Sequence, residues 1–118
     1  MKAATLVLAL FANIASFALG EDGVASWMSR DLAGKPTASG TPFNPDRRTA
    51  ASWAHFKKWV KVTNLLNGRE VIVWCDDRGP AKRLHRAIDL SPVAYWQIAL
   101  PSDIRRGTMR VRITPLFQ

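Results

Sequence analysis

Two stretches of this chain set apolar against polar side chains at every second position. Trp59-Val60-Lys61-Val62-Thr63 and Met109-Arg110-Val111-Arg112-Ile113 carry the period of a half-buried β-strand. Gly23-Val24-Ala25-Ser26-Trp27 reads as a strand ahead of them. Val71-Ile72-Val73-Trp74 is a continuous, largely β-branched run, which predicts a strand buried on both faces. Asn67-Gly68, between two of these stretches, predicts a hairpin turn because both residues tolerate positive φ. One segment reads as helix. Ser91 and Pro92 suit the cap and first position, Val93, Ala94, Trp96 and Ile98 follow toward Leu100, and Pro101 is expected to stop it. Residues 30–50, rich in Gly, Pro, Ser, Thr and Asn, read as an irregular excursion. A mainly β chain of short strands with one short helix and no obvious edge protector predicts a closed barrel.

The beginning of the chain breaks this pattern. Met1-Lys2 gives a positive start, Ala3 to Leu19 is mainly apolar, and Ala18-Leu19-Gly20 puts small residues before Glu21-Asp22. Residues 1–20 are therefore expected to be a secretory signal peptide and residues 21–118 the folded domain. An uncleaved anchor is the alternative, but the apolar run is shorter than the roughly 20 residues a spanning helix needs. The expected location is the periplasm or the extracellular space, with no membrane anchor once the leader is cleaved.

Composition narrows the classes further. The chain has 118 residues, the size of one compact domain. Cys75 is its only cysteine, so no internal disulfide can form and packing must hold the fold. At a strand end it reads as a small buried hydrophobe, since a thiol nucleophile would need His55 or His85 as a base. Two histidines without spaced carboxylates or thiolates make no metal site, and no cofactor pattern is present. Seventeen Lys and Arg against nine Asp and Glu suggest anionic partners. In an exported domain these are cell-wall polymers or headgroups. The charges are scattered, with no zinc-finger or helix-turn-helix pattern, so nucleic acid is not expected. The alternative is a solvated basic surface.

The candidate chemistry lies at Cys75-Asp76-Asp77-Arg78-Gly79-Pro80 and at Arg86-Ala87-Ile88-Asp89-Leu90-Ser91. Acids at strand ends are poised for altered proton affinity, as sugar or acyl chemistry requires. Asp77 reads either as an acid/base group or as a turn acid bound to main-chain N–H groups around Gly79-Pro80. Asp89 reads as a groove acid or as a brace for the fold. Arg78 could orient Asp77 or hold a carboxylate, or it could pair internally with Asp89 or Asp76. Most of the five tryptophans are expected in the core. Trp27 and Trp53 are the candidates for stacking on a sugar.

Gly23 to Trp27, Thr37-Ala38-Ser39-Gly40, Thr49-Ala50-Ala51, Val60 to Leu65, Asn67-Gly68-Arg69, Asp77-Arg78-Gly79-Pro80 and Ile88-Asp89-Leu90-Ser91 come in this order along nearly all of the expected domain. In that order the chain resembles the rare lipoprotein A (RlpA) family. The resemblance implies a six-stranded double-psi β-barrel, like those of barwin-type endoglucanases and expansins. It also implies action on peptidoglycan glycan strands, as in the septal-ring lytic transglycosylases, by a domain expected to be a monomer. The Asp of the Asp-Arg-Gly-Pro motif, here Asp77, is the implied acid. Arg78, Asp89, Thr41, Trp27 and Trp53 are implied around the substrate. Two positions depart from the family pattern. Thr41 stands where an acid usually follows Thr-Ala-Ser-Gly, and Ser52 stands where a histidine usually follows Thr-Ala-Ala. His55, three residues on, is the candidate substitute.

A lytic transglycosylase asks little of its protein. The sugar's own 6-hydroxyl attacks the anomeric carbon, so one group that gives a proton and then takes one can serve both steps. Asp77 alone could serve provided that its pKa is raised, which burial and Asp76 favour and Arg78 and backbone donors oppose, with Ser52 or His55 in the weakened second site. Two further readings stay open. One is a barrel that binds polysaccharide without cleaving it, and the other is a secreted inhibitor or effector built on the same scaffold.

Overall fold

The computed structural model describes residues 20–116; the expected leader lies outside them except for Gly20. Six strands close into a barrel: β1 (Glu21–Trp27), β2 (Thr49–Ala51), β3 (Trp59–Asn64), β4 (Glu70–Asp77), β5 (Ile88–Leu90) and β6 (Met109–Pro115). The order around the barrel is β1-β5-β2-β4-β3-β6. β1 with β5 and β2 with β4 are parallel, and the remaining pairs are antiparallel. Closure leaves no free edge, as expected of short strands.

Alternation places the core. Val60 and Val62 of β3, Val71, Val73 and Cys75 of β4, and Val111 and Ile113 of β6 point inward and are buried. Asn67-Gly68 turns β3 into β4, with Gly68 at φ 76°, where a side chain would be strained. At Gly23 of β1 an added Cβ would lie 2.6 Å from Ala87 Cβ, so the β5 approach packs directly on bare backbone.

Three expectations need correcting. Val71 to Trp74 is not buried on both faces: Ile72 is 49% exposed between two buried valines, because successive side chains of β4 alternate and Ile72 points out of the barrel. The tryptophans are not core residues. Trp53, Trp59 and Trp96 are exposed and Trp27 and Trp74 half-buried, since the narrow barrel fills with valine, isoleucine and alanine. Pro101 ends α1 (Pro92–Ile98) but also begins a second helix, α2 (Pro101–Arg106), at its first position.

The excursion is also more ordered than its composition suggests. It ends in β2, and residues 35–43 fold back on themselves through the Pro36–Pro42 bridge and the Thr37 N to Thr41 O bond of 2.9 Å. Phe43 and Met28 pack on Ala51, pinning it against the outer face of the barrel.

Candidate active site

Directly paired residues on neighbouring strands point to the same face of a sheet. Ser26 pairs with Asp89, Asp89 with Ala51, and Ala51 with Asp77. Their neighbours Ala25, Ile88, Leu90, Ala50 and Cys75 fill the core, so this row lies on the outer face. Asp77 reaches it through an irregularity: the β2–β4 register jumps from Ala50–Cys75 to Ala51–Asp77, leaving Asp76 unpaired.

Asp77 is half-exposed at the end of β4. Its Oδ1 accepts from the Ala38 and Arg78 amides, both at 2.9 Å. Oδ2 makes no hydrogen bond among the described residues. Oδ1 is thus anchored to main-chain amides as a turn acid would be, while Oδ2 is not.

Asp76 is the acid that sequence reasoning passed over. It is 6% exposed, and its Oδ1 has no partner. Burial, then the neighbouring Asp77 charge, push its carboxyl up to about 6. Two adjacent acids were visible in the sequence; the register jump that buries one of them was not.

The tip of the excursion docks on this pair. Besides the Ala38 bond to Asp77, the Ser39 amide donates to Asp76 O at 3.1 Å. Thr37, Ser39 and Thr41 hydroxyls form a cluster, with Thr37 to Ser39 at 2.8 Å and Ser39 to Thr41 at 2.9 Å. Thr41 thus belongs to a hydroxyl cluster on the tip whose Ala38 and Ser39 amides reach the two acids.

Ser52 is fully buried. Its amide donates to Asp77 O at 2.9 Å, and its Oγ accepts from the His55 amide at 3.2 Å, which holds the turn after β2. His55 is not a free surface side chain. It is 12% exposed, and its Nε2 lies 2.9 Å from Glu21 Oε1. Neither side chain makes a hydrogen bond to the Asp77 carboxylate.

Arg78 pairs with neither acid. Its guanidinium lies 4.2 Å from the centre of the Phe56 ring, with the Lys57 ammonium at 5.5 Å from the same ring. Trp53 donates from Nε1 to Pro80 O at 2.7 Å, across a cis Gly79–Pro80 bond. Its ring is 50% exposed, and Lys82 Nζ lies 5.1 Å from its centre. The Asp77 rim is therefore aromatic and cationic together.

Asp89 accepts a short hydrogen bond from Ser26 Oγ. Burial raises its proton affinity, partly offset by Ser26 and Arg86. Trp27 leaves this group. It packs edge-on against Trp96 of α1 at 5.1 Å and lines a separate groove with Ser29, Arg30, Pro92 and Val93. Cys75 is buried, and desolvation pushes its thiol up to about 12, which suits packing and not nucleophilic attack.

A family model described as lytic transglycolase matches residues 20–113. A Nostoc sp. protein named probable endolytic peptidoglycan transglycosylase RlpA is 43% identical over 104 residues, covering 86% of this chain and 27% of that protein. The Campylobacter jejuni endolytic peptidoglycan transglycosylase RlpA is 42% identical over 99 residues, covering 81% and 34%. The chain thus spans about a third or less of the curated relatives it matches. Among solved structures, the Streptomyces papain inhibitor superposes with a TM-score of 0.65 at 21% identity, covering 83% of this chain and 94% of that one. A Clavibacter michiganensis expansin in complex with cellohexaose superposes with a TM-score of 0.61 at 17% identity, covering 83% and 50%. At those identities the superpositions speak to the barrel alone.

Proposed function

The chain belongs to the lytic transglycolase family, and from that premise we propose that it is a peptidoglycan-active lytic transglycosylase with Asp77 as general acid/base. One observation carries the reading. Asp77 stands on an outer-face row with Oδ1 fixed by two main-chain amides and Oδ2 uncommitted. A fixed carboxyl group that enters the reaction protonated on its open oxygen can give that proton to the bridging oxygen of a glycan and become a carboxylate. It can then receive one from the 6-hydroxyl that closes the anhydro ring. The bond to the leaving sugar breaks, the C1–O6 bond forms, and the proton returns to Asp77, so no water is consumed.

The surroundings support a glycan at this place. Trp53, half exposed and with Lys82 over its ring, offers indole surface for the apolar side of a sugar. Arg78 and Lys82, held on Phe56 and Trp53, offer cations for the carboxylates of the wall polymer. Thr41 supplies a hydroxyl where an acid would add a charge. Asp89, tied to Ser26, braces the row.

A second reading rests on Ser52. Its buried hydroxyl is spent on the turn, so no imidazole or acid backs up Asp77 from that side. A barrel that binds glycan without cutting it would keep the cationic, aromatic rim and do without Asp77 Oδ2.

Incubation with peptidoglycan, followed by mass spectrometry for anhydro-muropeptides, separates the two. Release that vanishes in Asp77→Asn is the expected result. Binding without release leaves the second reading. Release unaffected by Asp77→Asn overturns the proposed mechanism.

A further inference from the structure

Next to the Ala51–Asp77 pair on the barrel's outer face, beginning at the Thr49–Trp74 pair of the same two strands, β3 and β4 present a second aromatic surface. Trp59 lies opposite Trp74 in the strand register, their rings 5.3 Å apart and tilted by 50°. Trp59 is 47% exposed, and Ile72, two residues before Trp74, continues the apolar surface. These three line a groove of about 730 Å³ with Asp46, Arg47, Arg48, Thr49 and Val93. Val93 also lines the groove of about 600 Å³ that holds Trp27, Trp96 and Arg30. The two grooves therefore adjoin at Val93, and four tryptophans line the combined trough.

The charge in the trough is unbalanced. Arg30, Arg47 and Arg48 line it against one acid, Asp46, which sits 3.3 Å from Arg30. Arg48 is steered by Gln97 Oε1 at 2.7 Å, a neutral partner that leaves its charge uncancelled. Arg47 makes no ion pair among the described residues.

We propose that this trough is a second binding surface for a carboxylate-bearing glycan strand, distinct from the Asp77 rim. The inference rests on the reading that peptidoglycan glycan is the ligand. Indole faces pack on the apolar faces of pyranose rings, and guanidinium groups hold carboxylates. A trough of two adjoining grooves suits a linear polymer better than a compact ligand. Its tryptophans line grooves together with arginines, and Trp27 and Trp74 are half-buried, whereas insertion into a bilayer interface needs apolar groups that protrude. Glycan held here and at the Asp77 rim would give the domain two grips on the wall, so that losing one weakens binding without abolishing it.

Amide and indole NMR spectra of the full chain carrying Asp77→Asn, titrated with soluble peptidoglycan glycan strands freed of stem peptides, test this. Shifts at the Trp59 and Trp74 indoles and at the Arg47 amide are expected, alongside shifts at Ala38, Trp53 and Arg78. Trp59→Ala should weaken strand binding by about fivefold or more with an otherwise unchanged spectrum, and Arg47→Glu should do the same. Shifts confined to Ala38, Trp53 and Arg78 overturn the second surface and leave the proposed function standing. Shifts confined to the trough support the second surface and remove glycan from the Asp77 rim. No shift anywhere overturns both. Movement of the Trp59 indole with protein concentration alone, or with anionic vesicles but not glycan, would assign the trough to a second copy or to a membrane and overturn the proposal.

Discussion

Asp89 and Asp77 flank Ala51 on one row of the outer face, each in direct register with it on a different strand. Two strand spacings put their backbones about 10 Å apart, with Ala51 between them covered by Met28 and Phe43. Their surroundings separate their roles. Asp89 is tied to Ser26 and held toward its protonated form by burial, while Asp77 keeps Oδ2 free. Asp77→Asn should lower anhydro-muropeptide release about 100-fold or more with the fold intact. Asp89→Asn should keep release within a few-fold, because an amide preserves the Ser26 contact. The reverse pattern in a side-by-side assay would move the acid to Asp89.

Asp76 makes a prediction about stability and pH. Its carboxyl titrates near 6 when folded, against an ordinary 3.8. A proton held more tightly in the folded state stabilises the fold fully below 3.8 and is lost as pH rises through about 6. Neutral solution therefore carries a buried charge whose Oδ1 has no partner. Asp76→Asn should raise the melting temperature at pH 7.5 by an amount worth on the order of 1 kcal/mol, discounted for solvent reaching the bulge. At pH 4 the variant and parent should melt together. Destabilisation at pH 7.5 would mean that the carboxylate has a donor that satisfies it.

Thr41 and Ser52 should respond in opposite ways when converted toward the family pattern. Thr41 is exposed and its hydroxyl joins a surface cluster, so Thr41→Glu adds a carboxylate to the tip that bonds Asp77 without disturbing the core. Release of anhydro products should rise. Ser52 is fully buried and caps the turn that carries His55. Ser52→His must both enter a filled site and lose that cap, at a cost of about 2–4 kcal/mol. Thermal melts and product assays on the two variants check the contrast.

The sequence made the barrel legible where the alternation was clean. β3 and β6 follow their apolar-polar period, and Gly68 takes the positive φ that Asn67-Gly68 announced. Legibility failed where one residue's environment depends on a distant strand. β2 is three residues of Thr and Ala, too short and too plain to stand out from residues 30–50, yet it pairs with both β4 and β5. The buried Asp76 follows from a register jump against that same strand. The tryptophans misled for a related reason. Most were expected in the core, but the barrel interior is already filled by Val60, Val62, Val73, Val111 and Ile113. Phe56 carried no signal as a seat for Arg78, because cation–ring contacts between loops leave no spacing in the sequence.

The helix after Pro101 was missed because its reason for existing lies outside it. Six residues form a marginal helix alone. Asp103 of α2 is fully buried, and its carboxylate accepts from Asn64 Nδ2 at 3.0 Å, Leu100 N at 2.9 Å and Arg106 at 2.6 Å. Its carbonyl accepts from Tyr95 OH at 2.7 Å. Asn64, at the end of β3, also donates to Ile98 O at 2.8 Å, so one side chain ties both helices to the barrel. Asn64→Ala should therefore cost about 2–4 kcal/mol, since it strips donors from a buried carboxylate and a carbonyl. Arg106→Ala, whose side chain is half-exposed, should cost about 1 kcal/mol. In a double-mutant cycle Asn64→Ala and Asp103→Ala should show a coupling of about 1–3 kcal/mol, as contacting network members do. Additive losses in urea melts would show that α2 is held by packing alone, and that the Asn64–Asp103 bond contributes nothing of its own.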